Sequence, residues 1–250
     1  AGAVGFALSS YFVILIEAGH NPKGYAIAYM APVVMGIMMA YRGRMWAGSA
    51  VASISLSLEL ASNHLQITYY LAILSVVIVL GEFVSAIVSK QLSNFIKSSG
   101  MLLVAALLAI LPNITNLLVT EEYGKYTIRG ASELSDEKQN KTSGLDRDYA
   151  TQWSYGIGET FTLMIPNFKG GESQVIGENE KALADVNPEM RQYVGQSTDQ
   201  YWGDQPFTSG PVYIGALICF LFVLGMLILK DNIKWYLLVV TVLAVMLSWG

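Results

Sequence analysis

Cysteine is almost missing from this chain. Cys219 is the sole thiol among 250 residues and lies inside an apolar block, which excludes an internal disulfide framework and a thiolate metal cage. Charge is scarce too, at 14% of residues against roughly 25% in soluble domains. What charge there is clusters: residues 120–209 hold 15 of the 19 acids and 8 of the 15 bases. The formal net charge of −4 leaves no basic footprint for nucleic acid. There is neither an internal repeat nor a low-complexity tract. No methionine opens the chain and no basic segment precedes its first apolar stretch, which excludes a secretory signal peptide there. Both termini fall within apolar runs, so the sequence reads as an internal stretch of a longer protein.

What is present, at 53% hydrophobic residues, is a series of apolar blocks. A helix needs about 20 apolar residues to cross roughly 30 Å of hydrocarbon. Seven blocks approach that length: Ala1–Ala18, Tyr25–Tyr41, Met45–Ala61, Ile67–Val88, Met101–Val119, Pro211–Leu229 and Ile233–Trp249. Lipid offers no partner to a free backbone group, so spans are helices or closed barrels. Barrel strands alternate polar and apolar residues, and these blocks do not. The expected fold is an all-α polytopic membrane protein of about seven transmembrane helices. Its parts are a five-helix bundle over 1–119, a loop domain of mixed structure over 120–209, and two further helices over 210–250.

Basic residues orient such a bundle. With the chain's start in the cytoplasm, Arg42, Arg44, Lys90, Lys97, Lys230 and Lys234 all fall in cytoplasmic turns, and the short outer turns hold only Lys23. The expected location is the bacterial inner (cytoplasmic) membrane, multi-pass, with segment 120–209 extracytoplasmic. Residues Ser89–Ser99 mix Leu92, Phe95 and Ile96 with lysine and serine. That pattern fits either a short helix lying at the interface or an ordinary connector. The loop segment is too aromatic for plain disorder, with Trp153, Tyr155, Phe161, Phe168, Tyr193, Tyr201, Trp202 and Phe207; its polar middle, Glu133–Asp148, is expected to be mobile.

This orientation collects the reactive side chains on the outer face. The first outer turn carries Glu17, His20, Asn21 and Lys23, and the second carries Asn63, His64 and Gln66. Glu17 and His20 share a face if their helix continues that far. They have the types needed for general acid or base work, and with His64 they carry the donor set of a divalent-metal site. Lys23 suits a phosphate. The competing reading is that polar residues at helix ends cap spans and meet headgroups. Glu59 and Glu82 sit within apolar runs, where a carboxylate is costly and turns toward the bundle interior or a partner. The glycine-rich Gly156–Thr160 and Asn167–Gly171 stretches lack the ending of a phosphate loop and read as tight turns. The run Tyr201–Phe207 suits the aromatic headgroup belt.

Several ordered stretches, EAGHNPKGYAIAYMAP (17–32), NHLQITYYL (63–71), PNITNL (112–117), EYGKYTIRG (122–130), SGLDRDYATQWSYGIGETFTLMIPNFKGG (143–171) and YWGDQPFTSGPVYIGA (201–216), together resemble the YfhO-type family of large bacterial membrane proteins. The resemblance implies a bundle similar to the GT-C class of glycosyltransferases, which take a polyprenyl-phosphate sugar as donor and work at the extracytoplasmic face. It implies membrane lipid, a polyprenyl-phosphate-linked sugar and an envelope glycan acceptor as partners. That class carries an essential acid in its first outer loop, which the resemblance places upstream of this stretch, so no position here inherits it. Glu17 and His20 remain as catalytic candidates. Asn21, Lys23, Glu59, Asn63, His64 and Gln66 would line the outer cavity, with Trp153, Tyr155, Glu159 and Thr160 closing over it. Cofactors are unassigned, with a divalent metal as the one candidate. The expected function is extracytoplasmic glycosyl transfer to a cell-envelope acceptor; the rivals are a transporter or flippase of a lipid-linked precursor and a non-catalytic envelope scaffold.

Overall fold

A computed structural model describes residues 2–127 and 147–250. In chain order the helices are α1 (Gly2–Ala7), α2 (Ser10–Glu17), α3 (Asn21–Tyr41), α4 (Met45–Ala61), α5 (Leu65–Val88), α6 (Leu92–Ile110), α7 (Ile114–Gly124), α8 (Arg147–Thr151), α9 (Glu180–Leu183), α10 (Pro188–Ser197), α11 (Ala216–Ile228) and α12 (Ile233–Ser248). Strands β1 (Gly170–Val175) and β2 (Asp199–Tyr201) pair antiparallel with an irregular register. The chain divides into two compact units. One comprises Ala1–Gly19, Asp148–Leu229 and Val242–Gly250; the other comprises His20–Arg147 and Lys230–Thr241.

Among the described residues three helical stretches are long and apolar enough to cross a membrane: Asn21–Tyr41, Leu65–Val88 and the continuous Leu92–Gly124. Four of the seven expected spans are shorter apolar helices, at Gly2–Glu17, Met45–Ala61, Ala216–Ile228 and Ile233–Ser248. The stretch Ser89–Ser99 is not a separate interfacial helix. No proline interrupts residues 92–110, the helix runs through Gly100, and the amphipathic turn continues unbroken into α6. Most of the polar segment 133–148 lies outside the described residues.

The second unit is a helical bundle with α3 and α4 at its centre. Their three-residue turn closes with Gly43 at φ 90°, and the Arg44 N–H caps the Met39 carbonyl at 3.0 Å, an arrangement only glycine adopts cheaply. Above it the helices run antiparallel and very close. A β-carbon on Gly36 would stand 2.5 Å from the Ala52 backbone nitrogen and 2.7 Å from the Gly48 carbonyl oxygen. One on Gly48 would stand 2.6 Å from the Gly36 carbonyl oxygen. With Ala40 and Ala52 this makes a small-residue seam, the usual means of helix association where no water drives apolar surfaces together. Val33, Ile37, Leu71 and Ile78 form the apolar core beside it.

Polar cross-ties supplement that packing. Ser98 donates to the Ala40 carbonyl at 3.0 Å, and the Tyr41 and Ser99 hydroxyls meet at 2.9 Å. Pro112 interrupts α6 with a short 3₁₀ turn, Leu111–Asn113. Asn113 is buried there and donates its side-chain amide to the carbonyls of Ala109 (3.1 Å) and Ser57 (3.0 Å).

In the other unit, the first expected span is broken between α1 and α2. Ser9 caps α2, accepting from the Tyr11 N–H at 3.4 Å. The polar groups opened by the break pair with residues 211–213. The Ser10 N–H donates to the Tyr213 carbonyl at 3.2 Å, the Ser10 hydroxyl donates to the Pro211 carbonyl at 3.3 Å, and that hydroxyl accepts from the Tyr213 N–H at 2.7 Å. A helix interrupted amid apolar residues persists when its freed groups find such partners.

Candidate functional site

The topology of the helical bundle sorts its polar side chains by end. Because α3, α4 and α5 alternate in direction, the start of α3 and the α4–α5 turn lie at one end. His20 is the residue before α3 and is exposed. Asn21 and Pro22 open the helix, Pro22 having no N–H to leave unpaired, and Lys23 follows, half-buried. The α4–α5 turn holds Asn63 in the left-handed region (φ 51°), a conformation asparagine tolerates. His64 precedes α5. Asn63 accepts from the Thr120 hydroxyl at 3.2 Å, and Gln66 donates its side-chain amide to the Tyr70 hydroxyl at 3.1 Å. One helical turn below Asn63, Glu59 is fully buried. The Thr68 hydroxyl faces both of its oxygens, at 3.0 and 3.1 Å. The opposite end carries Arg42 and Arg44, and Arg42 meets Asp231 at 3.5 Å.

Glu17 does not join His20 on a continuous helix. Helix α2 ends at Glu17, Ala18 caps it, and Gly19 at φ 75° turns the chain before α3 begins. The two residues belong to different units. Among the described residues no three His, Cys, Asp or Glu side chains gather in a metal-binding group.

The remaining candidates lie in the other unit, around a buried carboxylate. Glu159 is 3% exposed. It accepts from the Gly156 N–H at 2.7 Å, the Tyr201 hydroxyl at 2.5 Å and the Asp204 N–H at 3.3 Å. The Gln205 N–H donates in turn to the Tyr201 hydroxyl at 3.0 Å. A buried carboxylate so served is the tie of a folded loop, since without these donors it would be left unpaired. Trp153 stands edge-on to Phe207 with ring centres 4.5 Å apart, and its carbonyl accepts from the Gln205 side chain at 2.8 Å. The Thr160 hydroxyl accepts from the Trp249 indole N–H at 2.9 Å. The Tyr155 N–H donates to the Ser248 carbonyl at 2.7 Å.

Burial pushes the Tyr155 phenol up to about 12, with smaller contributions from Tyr11 and Glu159. Tyr201 is raised as well, first by burial and then by its hydrogen bond to Glu159. The Tyr201 phenol keeps its proton and donates a hydrogen bond to Glu159. The cavity beside them, lined by Tyr155, Thr162, Lys169, Tyr201 and Thr208, holds about 10 Å³. That is room for about one water molecule.

Sequence reasoning missed Thr68, Thr120, Tyr201 and Asp204. Tyr201 and Asp204 lay in a run read as headgroup belt, and nothing in that run marks Glu159, some forty residues earlier, as their partner. Thr68 is nine residues from Glu59, a separation meaningful only once the α4–α5 hairpin is formed. No protein-family model, curated protein or solved structure matches the chain.

Proposed function

We propose that this chain is part of a multi-pass protein of the bacterial cytoplasmic membrane that transfers a sugar from a polyprenyl-phosphate carrier to a cell-envelope acceptor at the extracytoplasmic face. The observation that carries this reading is the gathering of His20, Asn21, Lys23, Asn63, His64 and Gln66 at one end of the helical bundle, above the buried Glu59. The basic residues of the opposite end agree with that face being outside, and the reaction class is taken from the resemblance of the ordered motifs to YfhO-type proteins.

In this reading an acceptor hydroxyl attacks the anomeric carbon and the polyprenyl phosphate leaves. Lys23 and His20 meet the developing negative charge of the leaving group. His64 is placed to exchange a proton with the acceptor. The amides of Asn21, Asn63 and Gln66 orient sugar hydroxyls. The experiment compares envelope glycans of a deletion strain with its parent and measures binding of a polyprenyl-phosphate sugar by the full-length protein. Loss of one sugar substituent together with binding supports the reading; unchanged glycans and no binding end it.

A carrier for a lipid-linked precursor is the second reading. It is favoured by the full burial of Glu59 within a helix bundle, since intramembrane carboxylates often mark transport pathways. Movement of such a lipid across reconstituted vesicles without sugar transfer selects it.

A further inference from the structure

At the end of α3 opposite His20, an apolar groove of about 460 Å³ runs along one helix face and stops at two arginines. Its wall is Ala31, Val34, Met35, Met38 and Met39, and Arg42 and Arg44 stand at its mouth. These positions recur at helical spacing, so they form one stripe, and that stripe is distinct from the Gly36–Ala40 seam against α4. Methionine side chains are flexible and polarisable, suited to a partner without fixed shape. Trp46, 72% exposed, stands just beyond Arg44, as expected of a residue at headgroup level. A 21-residue helix measures about 32 Å, the length needed to cross the hydrocarbon with Arg42 and Arg44, just past its end, at headgroup level.

We propose that this face of α3 seats an anionic glycerophospholipid, one acyl chain in the methionine groove and the phosphate on Arg42 and Arg44. Charge complementarity selects this occupant over a neutral lipid. Guanidinium groups bind phosphate oxygens in a bidentate fork, and Arg44 has no side-chain partner among the described residues. Arg42 is shared: Asp231 meets it at 3.5 Å and Glu82 lies within electrostatic reach. One basic side chain at an anionic headgroup is worth about a fivefold factor, and two unshared ones about thirtyfold. With Arg42 partly neutralised, about tenfold selectivity is expected. The proposal concerns the end of α3 remote from His20 and stands apart from any sugar chemistry there.

The test uses the whole chain in detergent, equilibrated with equimolar phosphatidylglycerol and phosphatidylcholine, with retained lipid counted by native mass spectrometry. The expected result is about tenfold enrichment of phosphatidylglycerol, lost in Arg42→Gln/Arg44→Gln while the helical content is kept. Asp231→Asn frees Arg42 and is expected to hold or raise the enrichment, and Ala31→Trp, which fills the groove, to lower retention of both lipids. Equal retention of the two lipids by the unaltered chain overturns the proposal. So does enrichment that survives loss of both arginines, a fall in enrichment with Asp231→Asn, or a dimer whose α3 faces crosslink through Met35.

Discussion

Replacing Gly36 by alanine forces α3 and α4 apart. The new β-carbon would stand 2.5 Å from the Ala52 nitrogen, 0.9 Å short of the 3.4 Å at which ordinary contact begins. The obstacle is backbone, so no side chain can swing aside, and the helices must separate by about 1 Å at this level. Such a gap forfeits a quarter to a half of the dispersion energy of each contact along the seam. Overpacking of this kind costs about 1–3 kcal/mol; for a central position on the closest helix pair we expect about 2 kcal/mol. Gly48→Ala should cost a similar amount, because the two glycines face each other. The double variant should cost only about 3 kcal/mol, well below the sum, since one separation relieves both clashes. Reversible unfolding in mixed micelles of increasing dodecyl sulfate, followed by far-ultraviolet circular dichroism, measures all three. Single variants that unfold with the parent, or a double variant that is fully additive, would refute the close-seam account.

Glu59→Ala should destabilise the bundle by about 2–4 kcal/mol, through the cavity it leaves and the loss of the Thr68 hydroxyl's carboxylate partner, whereas Glu59→Gln should cost much less; the same unfolding series reads both. Tyr155 predicts a loss of stability in alkali. Its pKa rises from 10.0 to about 12 on folding, so the folded state holds the proton more tightly; the contribution is complete below pH 10, fades as pH rises to about 12, and amounts to at most about 2–3 kcal/mol. Phenolate absorbance and protease resistance of residues 147–215 across that range test it, and Tyr155→Phe should flatten the decline. Single cysteines at positions 20 and 64, in a Cys219→Ser background, should react with an impermeant thiol reagent from the periplasm, and those at 42 and 44 should not; the reverse pattern, or labelling of 20 and 64 from opposite sides, would dismantle the proposed function.

Helices in the bundle were legible where composition decides. The apolar runs at 25–41, 45–61 and 67–88 became α3, α4 and α5 with boundaries shifted by a few residues at most. The break between α1 and α2 was hidden because no proline or glycine marks it, and the groups that stabilise it come from residues 211–213, some two hundred positions away. For the stretch at 89–99 the sequence allows an interfacial helix or a connector and does not show the helix running on into α6, because charge placement cannot say whether a helix stops when its periodicity shifts. For the candidate site, Glu59 betrayed its burial by standing alone in an apolar run, yet its partner did not. Gly19 is the instructive case. Glu17 and His20 have helical spacing, but a single residue with positive φ removes the helix their pairing needs.

The closeness of α3 and α4 also bears on how the bundle is made. Helix α4 has 17 residues, including Ser49, Ser53, Ser55, Ser57 and Glu59, and gains little by entering lipid unaccompanied. Two of those serines and the glutamate are buried in the fold, facing other helices. A short arginine-flanked turn and a seam of small residues between the two helices provide what a reluctant segment requires during biosynthesis: a hydrophobic neighbour already matched to it, so that the pair can leave the insertion machinery together as a hairpin.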